Sequence, residues 1–150
     1  MQIRQINPNE YQLVTHLFDQ YRVFYKQTSD IALAKSFIKN RLENNESVIF
    51  VAMDGDKPVG FTQLYPLLSS VRATKNWLLN DLYVDNDQRK RGIGKALLQT
   101  AYDFAKSHGA TFIQLETAVD NYTAQSLYEA VGFVKQEANK AASYYYRKAI

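Results

Sequence analysis

A turn rich in glycine and basic residues separates a predicted strand from a predicted helix near the middle of the chain. The apolar segment Leu78–Val84 precedes the turn, and apolar residues recur at helical spacing from Ile93 to Phe104. Between them lie Gly92 and Gly94. The basic residues of the turn are Arg89, Lys90, Arg91 and Lys95. Because the first N–H groups of a helix lack intrahelical partners and its dipole adds positive charge, this turn predicts a phosphate site.

Composition limits the kinds of site that the chain can carry. A length of 150 residues predicts one domain, residues 1–150, with a core that needs no cross-link. The absence of cysteine excludes disulfides, a thiolate nucleophile and cysteine-ligated zinc. The two histidines, His16 and His108, lie in a helical pattern and at a predicted helix C-terminus, where structural roles account for them. We therefore expect no metal site.

Charge and hydropathy indicate the kind of partner. The formal net charge is +3, and its most concentrated part is the glycine turn, which suits one small anionic ligand and predicts no nucleic-acid partner. No apolar stretch approaches the length of a bilayer span, and the first five residues lack the apolar core of a signal peptide. We expect a cytoplasmic protein with no membrane partner.

Hydrophobic periodicity predicts an α+β domain built on one central, mostly antiparallel sheet. Two amphipathic helices separate a short N-terminal strand, Ile3–Ile6, from three strands that read as an antiparallel meander. The order is β, α, α, β, β, β, α, β, α, β, β. The predicted strands after the first are Val48–Ala52, Val59–Leu67, Trp77–Val84, Thr111–Thr117, Phe133–Gln136 and Ser143–Arg147, and the last helix covers Asn121–Val131.

Two common phosphate-binding motifs do not fit the glycine turn. A P-loop requires a glycine where this chain has Arg89 and a hydroxyl side chain where it has Ala96. A dinucleotide fingerprint requires a third glycine where this chain has Leu97, and it follows a strand of a βαβ unit rather than a meander. Both readings are excluded.

A third pattern does fit. Arg89–Gly94 matches Arg/Gln-x-x-Gly-x-Gly/Ala directly after a strand, and Asn121–Phe133 matches Asn-x-x-Ala-x-x-Leu-Tyr-x-x-x-Gly-Phe. With both blocks in this order, the chain resembles the GNAT superfamily of acyl-CoA-dependent N-acyltransferases over nearly its whole length. The resemblance implies a three-layer α/β/α domain with a central mixed sheet, and acetyl-CoA as cosubstrate.

The resemblance also implies which residues bind acetyl-CoA. Backbone N–H groups of the turn would hold the pyrophosphate, with basic side chains nearby. The strand before the turn would pair with the pantetheine arm, and the N–H near Leu82 would polarise the thioester carbonyl. The implied cofactor-binding residues are Leu82, Tyr83, Val84, Arg89, Lys90, Arg91, Gly92, Ile93, Gly94, Lys95 and Asn121.

Catalytic roles follow in the same way. Tyr128 aligns with the tyrosine that protonates the departing thiolate in many similar proteins. Some relatives carry the general base where this chain has Asn80, whose amide cannot accept a proton. Glu116 matches a carboxylate that other relatives use and is the first candidate, Asp81 is the second, and a water relay is the third. Tyr21, Phe24 and Tyr25 fall where the first two helices of similar proteins often wall the acceptor pocket.

The function implied is transfer of an acetyl group to a primary amine by direct attack in a ternary complex. A small amine, a polyamine and a lysine or peptide amine all remain open as acceptors, since acceptor choice depends on pocket shape. A protein that binds acyl-CoA without turnover is the alternative function, and nucleic-acid binding by the basic turn is a third. Similar proteins commonly dimerise, so a homodimer is among the expected oligomeric states.

Overall fold

The computed structural model describes residues 1–136, 144 and 146–150. The elements follow the chain in the order strand, two helices, three strands, helix, strand, helix. No helix in the described part is long and apolar enough to cross a membrane. The elements are β1 (Gln2–Gln5), α1 (Gln12–Phe24), α2 (Ile31–Glu43), β2 (Val48–Asp54), β3 (Lys57–Ser69), β4 (Thr74–Val84), α3 (Ile93–Ser107), β5 (Ile113–Gln114) and α4 (Tyr122–Ala130), with short 3-10 turns at Pro8–Glu10 and Asn86–Gln88.

The strands form one five-stranded sheet in the spatial order β1-β2-β3-β4-β5. Strands β1 to β4 pair with one another in antiparallel fashion, and the connections from β2 to β3 and from β3 to β4 are short, as hairpins require. The fifth strand runs parallel to β4, which the intervening helix α3 permits. This confirms the predicted α+β class and the mostly antiparallel, mixed sheet.

Helices cover both faces of the sheet, and each face has its own apolar core. On one face, α1 and α2 pack against a core that includes Phe18, Ile38 and Phe61. On the other face, α3 and α4 pack against a core that includes Trp77 and Leu97. The three-layer α/β/α arrangement is therefore confirmed. The side chains of β4 meet a different helical layer on each face.

Several predicted strands need correction. The predicted strand Thr111–Thr117 is reduced to β5, Ile113–Gln114. The Asn76 side chain accepts hydrogen bonds from the backbone N–H groups of Thr111 (2.7 Å) and Phe112 (3.2 Å). Pairing with β4 therefore starts after these residues, and it stops where the two strands diverge.

The C-terminal predictions have two outcomes. Phe133–Gln136 forms no strand, so that prediction is wrong for this part of the chain. The predicted strand Ser143–Arg147 includes Ser143 and Tyr145, which lie outside the described residues. A strand there stays a prediction.

Candidate active site

The divergence of β4 and β5 leaves one edge of β4 open next to the glycine turn. In the described residues, β5 pairs with β4 at Trp77 and Leu78 and not beyond. Antiparallel strands alternate hydrogen-bonded and non-hydrogen-bonded pairs. The Asp85 N–H donates to the carbonyl oxygen of Val59 at 2.9 Å, so the main-chain groups of Asp85 face β3. Tyr83 lies two residues earlier on the strand, and its main-chain groups therefore face β3 as well.

The main-chain groups of Leu82 and Val84 consequently point away from β3, into the gap. One of them is already occupied, since Nε of Arg89 donates to the carbonyl oxygen of Val84 at 3.1 Å. The Arg89 guanidinium also lies over the Tyr83 ring, 5.6 Å from its centroid. The open groups on this edge are therefore both main-chain groups of Leu82 and the N–H of Val84.

The glycine turn has the backbone conformation of an anion cradle. Lys90 and Gly92 both have left-handed φ values, +65° and +76°, a state that a lysine adopts at a cost. The backbone N–H groups from Arg89 to Lys95 have no hydrogen-bond acceptor in the described part of the chain. A Cβ added to Gly92 would meet nothing within 4 Å, so the space in front of the turn is open. These features fit a bound pyrophosphate.

The basic side chains of the turn take different directions. Arg91 donates to Oδ2 of Asp54 at 3.2 Å and to Gln88, which ties its guanidinium to the β2–β3 turn. Lys90 and Lys95 are exposed. Among the described residues, the two lysines make no ion pair or cation–π contact, and Arg89 contacts a carbonyl oxygen and aromatic rings but no carboxylate.

Helix α4 packs directly behind the turn. A Cβ on Gly94 would lie 3.4 Å from Cδ2 of Leu127, so glycine allows α3 and α4 to approach closely. Oδ1 of Asn121 accepts the backbone N–H of Ala124 at 3.2 Å, which makes Asn121 the N-cap of α4. The Asn121 side chain therefore has a structural role, and its amide nitrogen makes no hydrogen bond in the described residues.

Tyr128 lies on α4 and packs against the core of the α3 face. Burial raises the pKa of its phenol, and the neighbouring Tyr25 adds to this shift. Tyr128 therefore holds its proton at neutral pH, and it is a weaker acid than a solvent-exposed tyrosine.

A β-bulge decides which face of the sheet Asp81 occupies. Gln63 lies opposite Asp81 and Leu64 lies opposite Leu79, so Asn80 is an extra residue in β4. Side chains alternate between the two faces of a strand, and one extra residue reverses the alternation beyond it. Leu79 consequently packs in the core of the α3 face, whereas Asp81 faces α1 and α2.

Asp81 is a buried carboxylate within a polar network. Its side chain is 2% exposed, and it accepts hydrogen bonds from Nε2 of Gln63 and, at 2.7 Å, from Nδ2 of Asn80. Ser47 donates to the other end of the Gln63 amide at 2.8 Å. Burial raises the pKa of Asp81, although the hydrogen bonds from Gln63, Asn80 and Tyr21 oppose the shift. The carboxylate is thus a stronger base than an exposed aspartate.

A cavity of about 380 Å³ opens beside Asp81, between β4 and the first two helices. Aromatic side chains make up half of its wall, and they are those of Phe18, Tyr21, Phe37 and Tyr65. Burial, followed by the charge of Asp81, raises the pKa of Tyr65 to about 12 and raises that of Tyr21 further. Both phenols are therefore neutral at physiological pH, which leaves Asp81 as the carboxylate of this cavity.

Glu116 lies in different surroundings. Its side chain is exposed, and together with Tyr128 it lines a broad cavity of about 1290 Å³ beyond β5. The chain continues from this cavity into residues 137–143, which are outside the described part. The structure thus brings Glu116 and Tyr128 to one cavity and places Asp81 in another.

Sequence reasoning missed part of this site. Ser47 and Gln63 are polar residues within apolar strand patterns, and that anomaly was the available signal for a buried polar network. Tyr21 lies in the wall of the cavity beside Asp81, and its place in an acceptor pocket stays a prediction. Phe24 and Tyr25, by contrast, are about half exposed.

Comparisons with known proteins agree on one family. Residues 11–133 match the family described as Acetyltransferase (GNAT) family. An uncharacterized N-acetyltransferase of Bacillus subtilis, YhfO, is 45% identical over 133 residues, which are 89% of each chain. A crystal structure of a probable acetyltransferase has a TM-score of 0.89 at 34% identity and covers 99% of this chain and 100% of its own.

A more distant structure shares the fold. The aminoglycoside N-acetyltransferase AAC(6')-Iy, in complex with CoA, has a TM-score of 0.79 at 21% identity, over 98% of this chain and 93% of its own. The family match covers the open edge of β4, the glycine turn and α4. The chain therefore belongs to the GNAT family of acetyltransferases and is an acetyl-CoA-dependent N-acetyltransferase.

Proposed function

We propose that this protein transfers the acetyl group of acetyl-CoA to a primary amine by direct attack while both substrates are bound. The observation that carries the proposal is the position of Asp81. This buried carboxylate faces a cavity on one side of β4, while the open edge and the glycine turn adjoin the same strand. An amine in the cavity would therefore reach a thioester held along β4.

The residues present fit acetyl-CoA. The unpaired N–H groups of residues 89–95 would bind the pyrophosphate, and Lys90 and Lys95 would add positive charge. The open main-chain groups of Leu82 and Val84 would pair with the amides of the pantetheine arm. The similar fold of an aminoglycoside acetyltransferase in complex with CoA supports this assignment.

Asp81 accepts the proton that the ammonium group loses before its nitrogen attacks. Its raised pKa suits this role, because a general base works best when its pKa lies near the pH at which the enzyme operates. A C–N bond forms at the acetyl carbon and the C–S bond breaks. The N–H of Leu82 stabilises the negative charge on the carbonyl oxygen, and Tyr128 donates its proton to the departing sulfur. The nitrogen loses a second proton as the amide forms. This proton returns to Tyr128 through solvent, and Asp81 releases the first proton to solvent.

The acceptor in this proposal is a small amine, a polyamine or a lysine or peptide amine. Glu116 stays an alternative base that would act from the other cavity. A homodimer also stays a prediction.

Release of free thiol from acetyl-CoA, followed across alkylamines, polyamines and lysine peptides, tests the activity. Initial rates at several concentrations of both substrates should give intersecting double-reciprocal lines, since both substrates are bound before transfer. Parallel lines would contradict direct attack. If coenzyme A binds but no amine is acetylated, a protein that senses acyl-CoA becomes the better account.

A further inference from the structure

The cavity beside Asp81 also contains a positively charged side chain with unused hydrogen-bonding capacity. Arg22, on α1, contributes to the wall of the cavity. Its Nη1 atom is buried and has no hydrogen-bond acceptor among the described residues. Buried N–H groups are almost always paired, so an anionic group of a bound molecule would complete this one.

The neighbouring carboxylate does not provide this acceptor. Asp19 is buried, and its two oxygens accept hydrogen bonds from Oγ of Ser29 at 2.6 Å and from the N–H of Asp30 at 2.8 Å. Although burial opposes it, these bonds lower the pKa of Asp19, and the charge of Arg22 contributes at longer range. No hydrogen bond joins Arg22 to Asp19 in the described part of the chain.

The rest of the cavity is suited to an apolar body. Besides the aromatic walls, Leu33 of α2 contributes an apolar surface. A volume of about 380 Å³ is at the small end of the range for ligand pockets and fits a single small molecule. The cavity therefore combines a carboxylate, a guanidinium and apolar walls, which together match a molecule with both an amine and an acid group.

We propose that the acceptor is a small amino acid, that is, a primary amine whose apolar body also carries a carboxylate that Arg22 binds. The proposal rests on the proposed function, since Asp81 receives the amine end. A guanidinium presents a planar pair of donors that matches a carboxylate in two parallel hydrogen bonds. Arg22 is then a specificity-determining residue that an alkylamine does not use.

Matched pairs of acceptors test this inference. The purified protein is assayed with phenylalanine against 2-phenylethylamine, and with ω-amino acids of four to six carbons against alkylamines of one carbon fewer. In at least one pair, the amino acid should have a kcat/KM roughly 10- to 100-fold above that of its decarboxylated partner. Arg22→Gln should reduce this ratio to about one, and Arg22→Lys should restore part of it.

Lys39→Gln is the matched control, because the Lys39 side chain is 44% exposed, lies outside the cavity and carries the same charge. It should leave the ratio unchanged. If Arg22→Gln does not fold, competitive inhibition of the parent protein by pentanoate, and not by pentanamide, gives the same information. Ratios near one in every pair, with alkylamines acetylated, would overturn this inference and leave the proposed function standing. Acetylation of no amine at all would overturn both.

Discussion

Opposing influences act on the Asp81 carboxylate, and their balance determines what it can do. Three hydrogen-bond donors favour the ionised form, but burial outweighs them and raises the pKa. Glu116, by contrast, is exposed. The two candidate bases therefore differ in their burial as well as in their location.

Replacing Asp81 by asparagine removes the proton acceptor and keeps the size of the side chain. We expect Asp81→Asn to lower kcat about 100- to 1000-fold, the usual contribution of a general base. The affinity for coenzyme A, measured by calorimetry, should change little, because the pyrophosphate cradle at residues 89–95 follows the end of β4 and does not include Asp81. Glu116→Gln is the matched control and should retain most of the activity. The opposite result, with Glu116→Gln inactive and Asp81→Asn active, would assign the base to Glu116.

The pH dependence of kcat/KM should show an acidic limb from Asp81. Because the ionised carboxylate is the active form, the rate falls as pH decreases through its raised pKa, above the ordinary value of 3.8. Gln63→Met removes a donor that stabilises the ionised form, so the limb should move to higher pH.

The sign for stability is opposite to that for activity. The folded state raises the pKa of Asp81 and so favours its protonated form. The contribution of Asp81 to the free energy of unfolding is therefore complete below the pKa that it has in the unfolded chain. It is lost as pH rises through the pKa of the folded state.

The Ser69→Ala variant, altered at the far end of β3, is the control for Gln63→Met in the pH profile and should keep the acidic limb of the parent protein. A limb that does not move in Gln63→Met would separate the titrating group from Asp81.

At the scale of elements, the open edge of β4 makes a prediction with a built-in control. The N–H groups of Leu82 and Val84 face the gap, whereas that of Tyr83 pairs with β3. Coenzyme A should slow amide exchange at Leu82 and Val84 by more than tenfold. At Tyr83, which is already protected, the change should be smaller.

Residue-resolved exchange by NMR, with and without coenzyme A, provides this measurement. Uniform slowing across β4 would indicate general stabilisation instead. No change at Leu82 and Val84 in a protein saturated with coenzyme A would contradict pairing of the pantetheine arm with this edge.

The sequence predicts most elements well because their apolar spacing is long and regular, as α3 and α4 show. The extent of β5 was not predictable, because it depends on the Asn76 side chain, 35 residues away from Thr111 in the chain. The bulge at Asn80 was not predictable either, since a β-bulge carries no apolar signature. Because the bulge sets the face that Asp81 occupies, the sequence alone could not show that Asp81 and Glu116 lie in different cavities.

At the scale of the whole molecule, the residues proposed for the two proton transfers lie on different faces of the sheet. The proposed base lies on the face covered by α1 and α2, and Tyr128 packs on the face covered by α3 and α4. β4 belongs to both faces, and its open edge lies where the sheet divides. An amine and a thiol could thus approach one acetyl group from opposite sides of the strand.

Coenzyme A would contact several of these elements at once, so its binding should stabilise the fold as a unit. A ligand at 100 times its Kd adds about 2.7 kcal/mol to the free energy of unfolding, which raises Tm by roughly 5–10 °C for a domain of this size. Adenosine 3′,5′-bisphosphate and pantetheine each reach only part of the β4 edge and the turn, so at equal concentration each should give a smaller shift. Scanning calorimetry with the three ligands tests this.

Only the complete cofactor brings a pyrophosphate to the unpaired N–H groups of residues 89–95. An equal shift with pantetheine alone would therefore mean that the pyrophosphate cradle contributes no binding energy.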